Sequence, residues 1–224
     1  MLHNTKPQRL ALVVANGPLP DGVAQLAKFA AVAALRVAVD GGARHFMAAG
    51  LTPHFLVGDL DSLPAAEADA LQKAGVQVLR HPARKDATDL ELALDVALAQ
   101  GADDVVVLAA LGARWDQTLA NMLLLALERF GRVPMRVVEG AQTLRVLRPG
   151  RPHQLAGASG DTLSLIPISG PAAGITTSGL DYPMQHGTLP FGATLGVSNV
   201  LTSAIASVTL ESGLLLAMHI SNVQ

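Results

Sequence analysis

The chain has no cysteine, which excludes disulfides, thiolate zinc sites and cysteine nucleophiles and is compatible with a reducing cytoplasm, where we expect it. Aromatic residues make up only 3% and charged residues 15% of the 224, and the formal net charge is -2. A nucleic-acid binder needs a basic stripe and stacking platforms, so that class is set aside. No membrane association is expected either, because the longest apolar run near the middle, Met122 to Leu127, is far too short to cross a bilayer. The apolar stretch Leu10 to Ala15 is short for a signal-peptide core and runs into Asn16-Gly17-Pro18. Also missing are the P-loop, the Gly-x-Gly-x-x-Gly dinucleotide turn and the Gly-x-Ser-x-Gly nucleophile elbow. The seven histidines are scattered without metal-ligand spacing, and His54 and His81, near strand ends, read as incidental.

Half the residues are hydrophobic, enough for a sizeable core, and their order gives the architecture. Leu10 to Ala15, Arg36 to Val39, His54 to Val57, Val76 to Leu79 and Val105 to Leu108 read as short strands, the first and third of them buried. Between them lie helix-prone stretches: Val23 to Ala34, Ala43 to Ala49 with Gly50 as its stop, Glu67 to Ala74, and a helix capped by Thr88. In that last helix Leu90, Leu94 and Leu98 recur at helical intervals up to Gly101. Asp116 to Phe130 reads as a further, strongly apolar helix. Strands alternating with helices imply a largely parallel sheet covered on both faces. Around Gly131 to Pro134 the pattern changes to short apolar runs punctuated by Gly, Pro, Ser and Thr, namely Met135 to Val138, Leu144 to Leu147, Thr162 to Ile166, Ala193 to Val197 and Ala206 to Leu210. The expected fold is therefore α/β: an N-terminal largely parallel sheet flanked by helices (residues 1–132), followed by an all-β sandwich domain (residues 133–224).

The chemistry collects where strands end, and ligands of open parallel sheets bind at the carboxyl ends of strands. Gly58-Asp59-Leu60-Asp61-Ser62 follows a buried strand. Alternate side chains of an extended segment point to one side, which lets Asp59 and Asp61 share one hard cation such as Mg²⁺. The same residues also suit a turn in which Asp and Ser cap backbone groups. Asn16-Gly17, Asp40-Gly41-Gly42, Lys85-Asp86 and Gly112-Ala113-Arg114-Trp115-Asp116 sit at corresponding points. Asp59, Asp61 and Asp86 supply metal oxygens, while Arg44, Lys85 and Arg114 offset polyphosphate charge. Gly41-Gly42 opens a helix whose first amides suit an anion. Thr88, Asp89 and Glu91 also fit simple helix capping, Arg114 a solvated surface charge and Trp115 a buried hydrophobe.

In order along the chain, these segments resemble thiamine pyrophosphokinases. Asp40-Gly41-Gly42-Ala43 is similar to that family's Asp-Gly-Gly/Ala segment. Gly58 to Ser62 resembles its Gly-Asp-x-Asp-Ser signature, and Lys85 to Glu91 its Lys-Asp-x-Thr-Asp-x-Glu. Gly112 to Gln117, followed by Asn121, resembles a Gly-Gly-Arg-x-Asp-His/Gln block, with Ala113 in place of the second glycine. Gly179-Leu180-Asp181-Tyr182-Pro183-Met184 and Ser198-Asn199 resemble elements of its second half. The resemblance implies transfer of a diphosphate group from ATP to the hydroxyl of thiamine, with release of AMP, by a homodimer that binds thiamine where subunits meet. It implies catalytic and Mg²⁺-binding roles for Asp59, Asp61 and Asp86. Nucleotide binding falls to Asn16, Asp40, Gly41, Arg44, Lys85, Thr88, Asp89, Gly112, Arg114 and Asp116, and thiamine binding to Tyr182, Ser198 and Asn199. A pyrophosphokinase of a pterin alcohol would share the catalytic half without needing Tyr182 and Ser198-Asn199. A non-enzymatic nucleotide-sensing module would not need the metal-binding aspartates.

Overall fold

The computed structural model describes residues 9–82, 86–112 and 114–222. These form two compact units: the chain up to Leu124 together with Arg132–Gly140, and Leu125–Gly131 together with the chain from Ala141 onward. Among the described residues no helix is long and apolar enough to cross a membrane.

In the first unit, strands β1 (Leu10–Val14), β2 (Leu35–Val39), β3 (Phe55–Gly58), β4 (Gln77–Arg80), β5 (Asp104–Leu108) and β6 (Met135–Glu139) form a parallel array in the order β6-β5-β1-β2-β3-β4. Every residue of β1 and β5 is buried, as continuous Val/Leu/Ala runs covered on both faces require. The helices are α1 (Gly22–Ala30), α2 (Ala43–Ala48), α3 (Ala65–Lys73), α4 (Asp89–Ala99) and α5 (Trp115–Leu124). Leu12, Val14, Leu26, Ala38, Phe46, Leu56, Leu71 and Val106 belong to one core between strands and helices. The chain runs outward from β1 through β2, β3 and β4, then returns to the other side of β1 with β5. The connections therefore part at the carboxyl ends of β1 and β5, the place where such sheets open a crevice.

Two sequence readings shift here. Met135 to Val138, expected in the second half, is part of β6, which pairs in parallel with β5. The apolar helix expected through Phe130 stops at Leu124, and Glu128–Arg132 is a short 3₁₀ turn. Within the second unit, the Arg148 guanidinium donates to the carbonyls of Leu125, Ala126 and Leu127 at 3.2, 2.9 and 3.0 Å. Those acceptors are satisfied without a continued helix.

The second unit holds two antiparallel sheets. One comprises β7 (Gln142–Leu147), β14 (Leu215–Ile220), β9 (Thr162–Pro167) and β12 (Asn199–Val200). The other comprises β8 (His153–Ala156), β13 (Ile205–Thr209), β10 (Ala172–Ser178) and β11 (Gly187–Leu189). Leu147, Leu163, Ile175, Leu189, Val208 and Leu215 from both sheets share one core, as in a sandwich. Ala193 to Val197, read as a strand, is instead a run of turns between β11 and β12. Leu195 and Val197 point to solvent, 73% and 45% exposed. Asp161 ties this unit together. Its carboxylate accepts from Ala158 N and Asn222 N and from His219 Nε2 at 2.8, 2.9 and 2.8 Å. The two amides and the imidazole hold it below the usual carboxylate range.

At the carboxyl end of β6, Glu139 has a buried carboxylate oxygen with no hydrogen-bond partner. Burial, reinforced by the Asp21 carboxylate, pushes its pKa up to about 7. A carboxyl raised in this way favours the folded state fully below its unfolded value, and that support is lost as pH rises through the folded value. Glu139→Gln should therefore melt at a higher temperature than the parent above pH about 7, with the difference vanishing below about 4.5. Melting curves across pH check this; a gap of constant size across that range would place the effect outside Glu139 ionisation.

Candidate functional site

Five loops meet at the carboxyl edge of the parallel strands and line a cavity of about 530 Å³. Ala15-Asn16-Gly17 follow β1, Val39-Asp40 end β2, and Asp59, Asp61 and Ser62 follow β3. Ala87-Thr88-Asp89-Leu90 open α4, and Ala109 to Gly112 follow β5. Arg114, Gln117 and Asn121 close the wall from α5 and the residue before it.

The loop after β3 works differently from an extended segment. Leu60 has φ +66° and is buried. A left-handed residue anchored in the core turns the chain between the two aspartates and brings both to the same side. The turn reading also holds, since Asp61 N donates to Asp59 Oδ1 at 3.1 Å and Ser62 Oγ to Asp61 Oδ1 at 3.0 Å. Asp40, at the end of β2, has φ +48° and is 8% exposed. A side-chain carbon on Gly58 would stand 3.1 Å from Asp40 Cβ, so glycine is what allows these two strand ends to approach. Ala109, after β5, is left-handed as well. Three non-glycine residues in this region at one sheet edge cost of order 1–3 kcal/mol each, and such outliers collect where function holds them.

Asp40, Asp59 and Asp61 each offer an oxygen within 4.8 Å of the others. Asp40 Oδ1 is buried and has no hydrogen-bond partner. Burial first, and then Asp61 and Asp59, push the Asp40 carboxyl up; a Ser62 hydroxyl and the Gly41 amide pull it down but do not outweigh them. An orphaned buried carboxylate oxygen facing two more carboxylates fits a hard divalent cation such as Mg²⁺ by its donor chemistry.

The other expected residues divide. Asn16, Thr88, Asp89, Gly112 and Arg114 line the cavity. Thr88 is also the N-cap of α4, its hydroxyl accepting from Glu91 N at 3.3 Å. Gly41 lies against the Asn16 carboxamide, whose oxygen would be 2.3 Å from an added side-chain carbon. Close packing already accounts for glycine there. Arg44 pairs with Glu67 at 3.4 Å. Arg114 pairs with Asp116 through Nε at 3.1 Å and Nη2 at 2.5 Å, both side chains about two-thirds exposed. Trp115, read as a possible buried hydrophobe, is 87% exposed. Asp86 is exposed and stands outside the three-aspartate group, and Lys85 lies outside the described residues. In the second unit Tyr182 is 70% exposed, Ser198 is exposed with φ +62°, and Asn199 is part-buried.

Two residues shape the loop after β5: Asn121, which the sequence placed only at the end of a family-like block, and Thr118, which sequence reasoning passed over. Thr118 and Asn121 are polar but buried on α5. Thr118 Oγ1 accepts from Gly112 N at 3.0 Å, and Asn121 Nδ2 donates to Ala110 O at 2.7 Å. Polar residues three apart share one face of a helix, and that spacing within the apolar run after Gln117 was the available sign for Thr118.

Two family models match the chain: the catalytic domain of thiamin pyrophosphokinase over residues 26–136 and its vitamin B1 binding domain over residues 152–215. The thiamine pyrophosphokinase of Bacillus subtilis is 29% identical over 210 residues, covering 92% of this chain and 96% of its own. A crystal structure of thiamin pyrophosphokinase from Geobacillus thermodenitrificans is 31% identical with a TM-score of 0.81, covering 96% of this chain and 99% of that one. The chain belongs to the thiamine pyrophosphokinase family. The crystal structure of the Bacillus subtilis thiamine pyrophosphokinase also superposes, with a TM-score of 0.83 at 27% identity over 96% of this chain and 100% of its own. The matched catalytic domain contains Asp40, Asp59 and Asp61, and the matched vitamin B1 binding domain contains Tyr182, Ser198 and Asn199.

Crowding of carboxylates costs the ligand-free protein stability. Asp40→Asn should therefore melt at or above the parent temperature in magnesium-free buffer; if the group holds Mg²⁺, the ion should raise the parent's melting temperature and this variant should lose most of that rise. Its turnover should fall at least about 100-fold, the scale for removing a charge-stabilising group. An unchanged Mg²⁺-dependent shift in this variant removes Asp40 from the cation site.

Proposed function

We infer that the chain transfers a diphosphate group from ATP to the hydroxyl of thiamine, giving thiamine diphosphate and AMP. The observation that carries this is the three-aspartate group in the cavity at the strand ends, within a chain that matches both domains of the family. The thiamine hydroxyl oxygen bonds to the β-phosphorus of ATP, the bond from that phosphorus to the α–β bridging oxygen breaks, AMP leaves and the hydroxyl proton is released. Such a displacement asks for alignment and charge neutralisation more than for covalent catalysis.

Asp40, Asp59 and Asp61 are the residues we assign to Mg²⁺, with Asp86 as an exposed additional carboxylate. When bound, the ion neutralises polyphosphate charge. Arg114 has an exposed guanidinium at the cavity wall, and its pairing with Asp116 across solvent is weak enough to yield to a polyphosphate. Lys85 and Arg44 are proposed to add positive charge. Asn16, Gly41, Thr88, Asp89, Gly112 and Asp116 bind or orient the nucleotide. Tyr182, Ser198 and Asn199 form the thiamine side, where an aromatic face suits a cationic thiazolium.

We further propose that the chain acts as a homodimer with thiamine held where subunits meet. Exposed Trp115, Leu119 and Leu123 recur every fourth residue on α5, an apolar stripe that a second copy would cover. Neither a pterin alcohol nor simple nucleotide sensing is favoured by the relatives found.

With ATP and Mg²⁺, purified protein should release AMP only when thiamine is added; release that is independent of thiamine, or driven equally by a pterin alcohol, would reject the assignment. Asp59→Asn and Ser198→Ala proteins, each impaired alone, should regain part of the activity when mixed under subunit exchange. Failure to complement after proven exchange counts against a shared site.

A further inference from the structure

The Asn199 side chain has no acceptor capacity to spare. A carboxamide oxygen accepts two hydrogen bonds and its nitrogen donates two. Asn199 Oδ1 already accepts from Tyr182 N at 3.1 Å and from Val200 N at 2.9 Å, while Nδ2 donates to Tyr182 O at 2.7 Å. The amide thus meets the main chain of Tyr182 as a neighbouring strand's peptide would. The pairing that precedes it is regular: Thr202 N donates to Gly179 O, Leu180 bridges Leu201, and Asp181 N donates to Val200 O at 2.9 Å. At Ser198 the backbone turns left-handed, its N–H donating to the buried Ser164 hydroxyl at 3.0 Å. Among the described residues no backbone then hydrogen-bonds to Tyr182, and the Asn199 side chain takes that place.

The far side of the same loop is fixed too. Met184 N donates to Thr177 Oγ1 at 2.9 Å, and Thr177 N to Met184 O at 3.0 Å. Pro183 between them has its φ locked by its ring. The main chain around Tyr182 is therefore held from both sides while the residue stays 70% exposed. Fixing the backbone beneath an exposed ring removes part of the ordering cost of binding in advance.

We propose that Asn199 is a positioning residue: it presents the Tyr182 ring to thiamine and does not itself grip the substrate. This deepens the thiamine reading of the site and rests on it. The chemistry separates the two roles. Thiamine carries a cationic ring, so a carboxylate in direct contact at this position would keep or tighten its binding. A carboxylate facing Tyr182 O instead sets acceptor against acceptor.

Asn199→Ala, Asn199→Asp and, from the opposite side, the near-isosteric Thr177→Val are the variants. Tyr182 is the chain's single tyrosine, so fluorotyrosine labelling gives one ¹⁹F resonance that reports its setting without substrate. In all three variants that resonance should move towards the free-tyrosine position and narrow. The KM for thiamine should rise about three- to tenfold, the cost of leaving one side chain unordered, with the KM for ATP unchanged. Asn199→Asp should be no better than Asn199→Ala, and adding Asn199→Ala to Tyr182→Ala should raise the thiamine KM no further. Tight thiamine binding by Asn199→Asp, additive losses in the double variant, or an unmoved resonance overturns the proposal. A resonance that moves while thiamine KM stays fixed in every variant, Tyr182→Ala included, also overturns it, by removing Tyr182 from the substrate. Thiamine-dependent AMP release by the parent protein would still stand in that case.

Discussion

Mutual repulsion among Asp40, Asp59 and Asp61 is the constraint on which the first unit depends. Three carboxylates whose oxygens lie within 4.8 Å of one another, one of them almost fully buried, disfavour the folded state unless a cation offsets them. The fold holds them by making their backbones unable to relax. β2 and β3 are neighbouring parallel strands, with Val39 opposite Val57, so their ends are fixed by a fully apolar register. Leu60 is anchored in the core, and Gly58 leaves room for Asp40. The apolar strands are thus the frame for the charge cluster.

A second device recurs in both units. Where regular backbone pairing stops, a side chain finishes it. Thr118 and Asn121 do so for the loop after β5, Asn199 for the Tyr182 loop, and Arg148 for the carbonyls after α5. His54 accepts from Arg36 N at 2.9 Å and its own amide donates to Arg36 O, so a histidine that reads as incidental extends the β2–β3 ladder. Loops fixed in this way keep their carbonyls and amides satisfied and can stay in conformations that secondary structure alone would not hold.

The strands of the first unit were legible because short continuous apolar runs bounded by glycine and aspartate have few other uses than buried strands. Their carboxyl-end loops were legible as a cluster of oxygen donors. That Asp40, and not Asp86, completes the group with Asp59 and Asp61 was not legible. It follows from strand order, and parallel register is set by long-range packing. Leu60 hid for a similar reason: an apolar residue between two aspartates looks like a spacer until the core claims it. Ala193 to Val197 misled because Leu195 and Val197 have strand character, yet Gly196 runs against the Leu165 carbonyl with no room for a side-chain carbon. A thiamine-binding role for Tyr182, Ser198 and Asn199 is proposed only from the likeness of their segments to a known family, since one tyrosine and two small polar residues have no spacing that spells a ligand.

β1 sits between β2 and β5, and the parallel order has a consequence for how the chain is made. β2 begins shortly after β1 ends, but the residues that pair β1 with β5 lie far apart, as in the 94-residue separation between Arg9 and Asp103. Until those intervening residues have left the ribosome, one flank of the most apolar strand in the unit carries unpaired amides and carbonyls. An open strand flank of this kind is a template for the wrong partner. The order that opens a crevice at the switch point thus also makes the nascent chain wait longest to close its most adhesive edge.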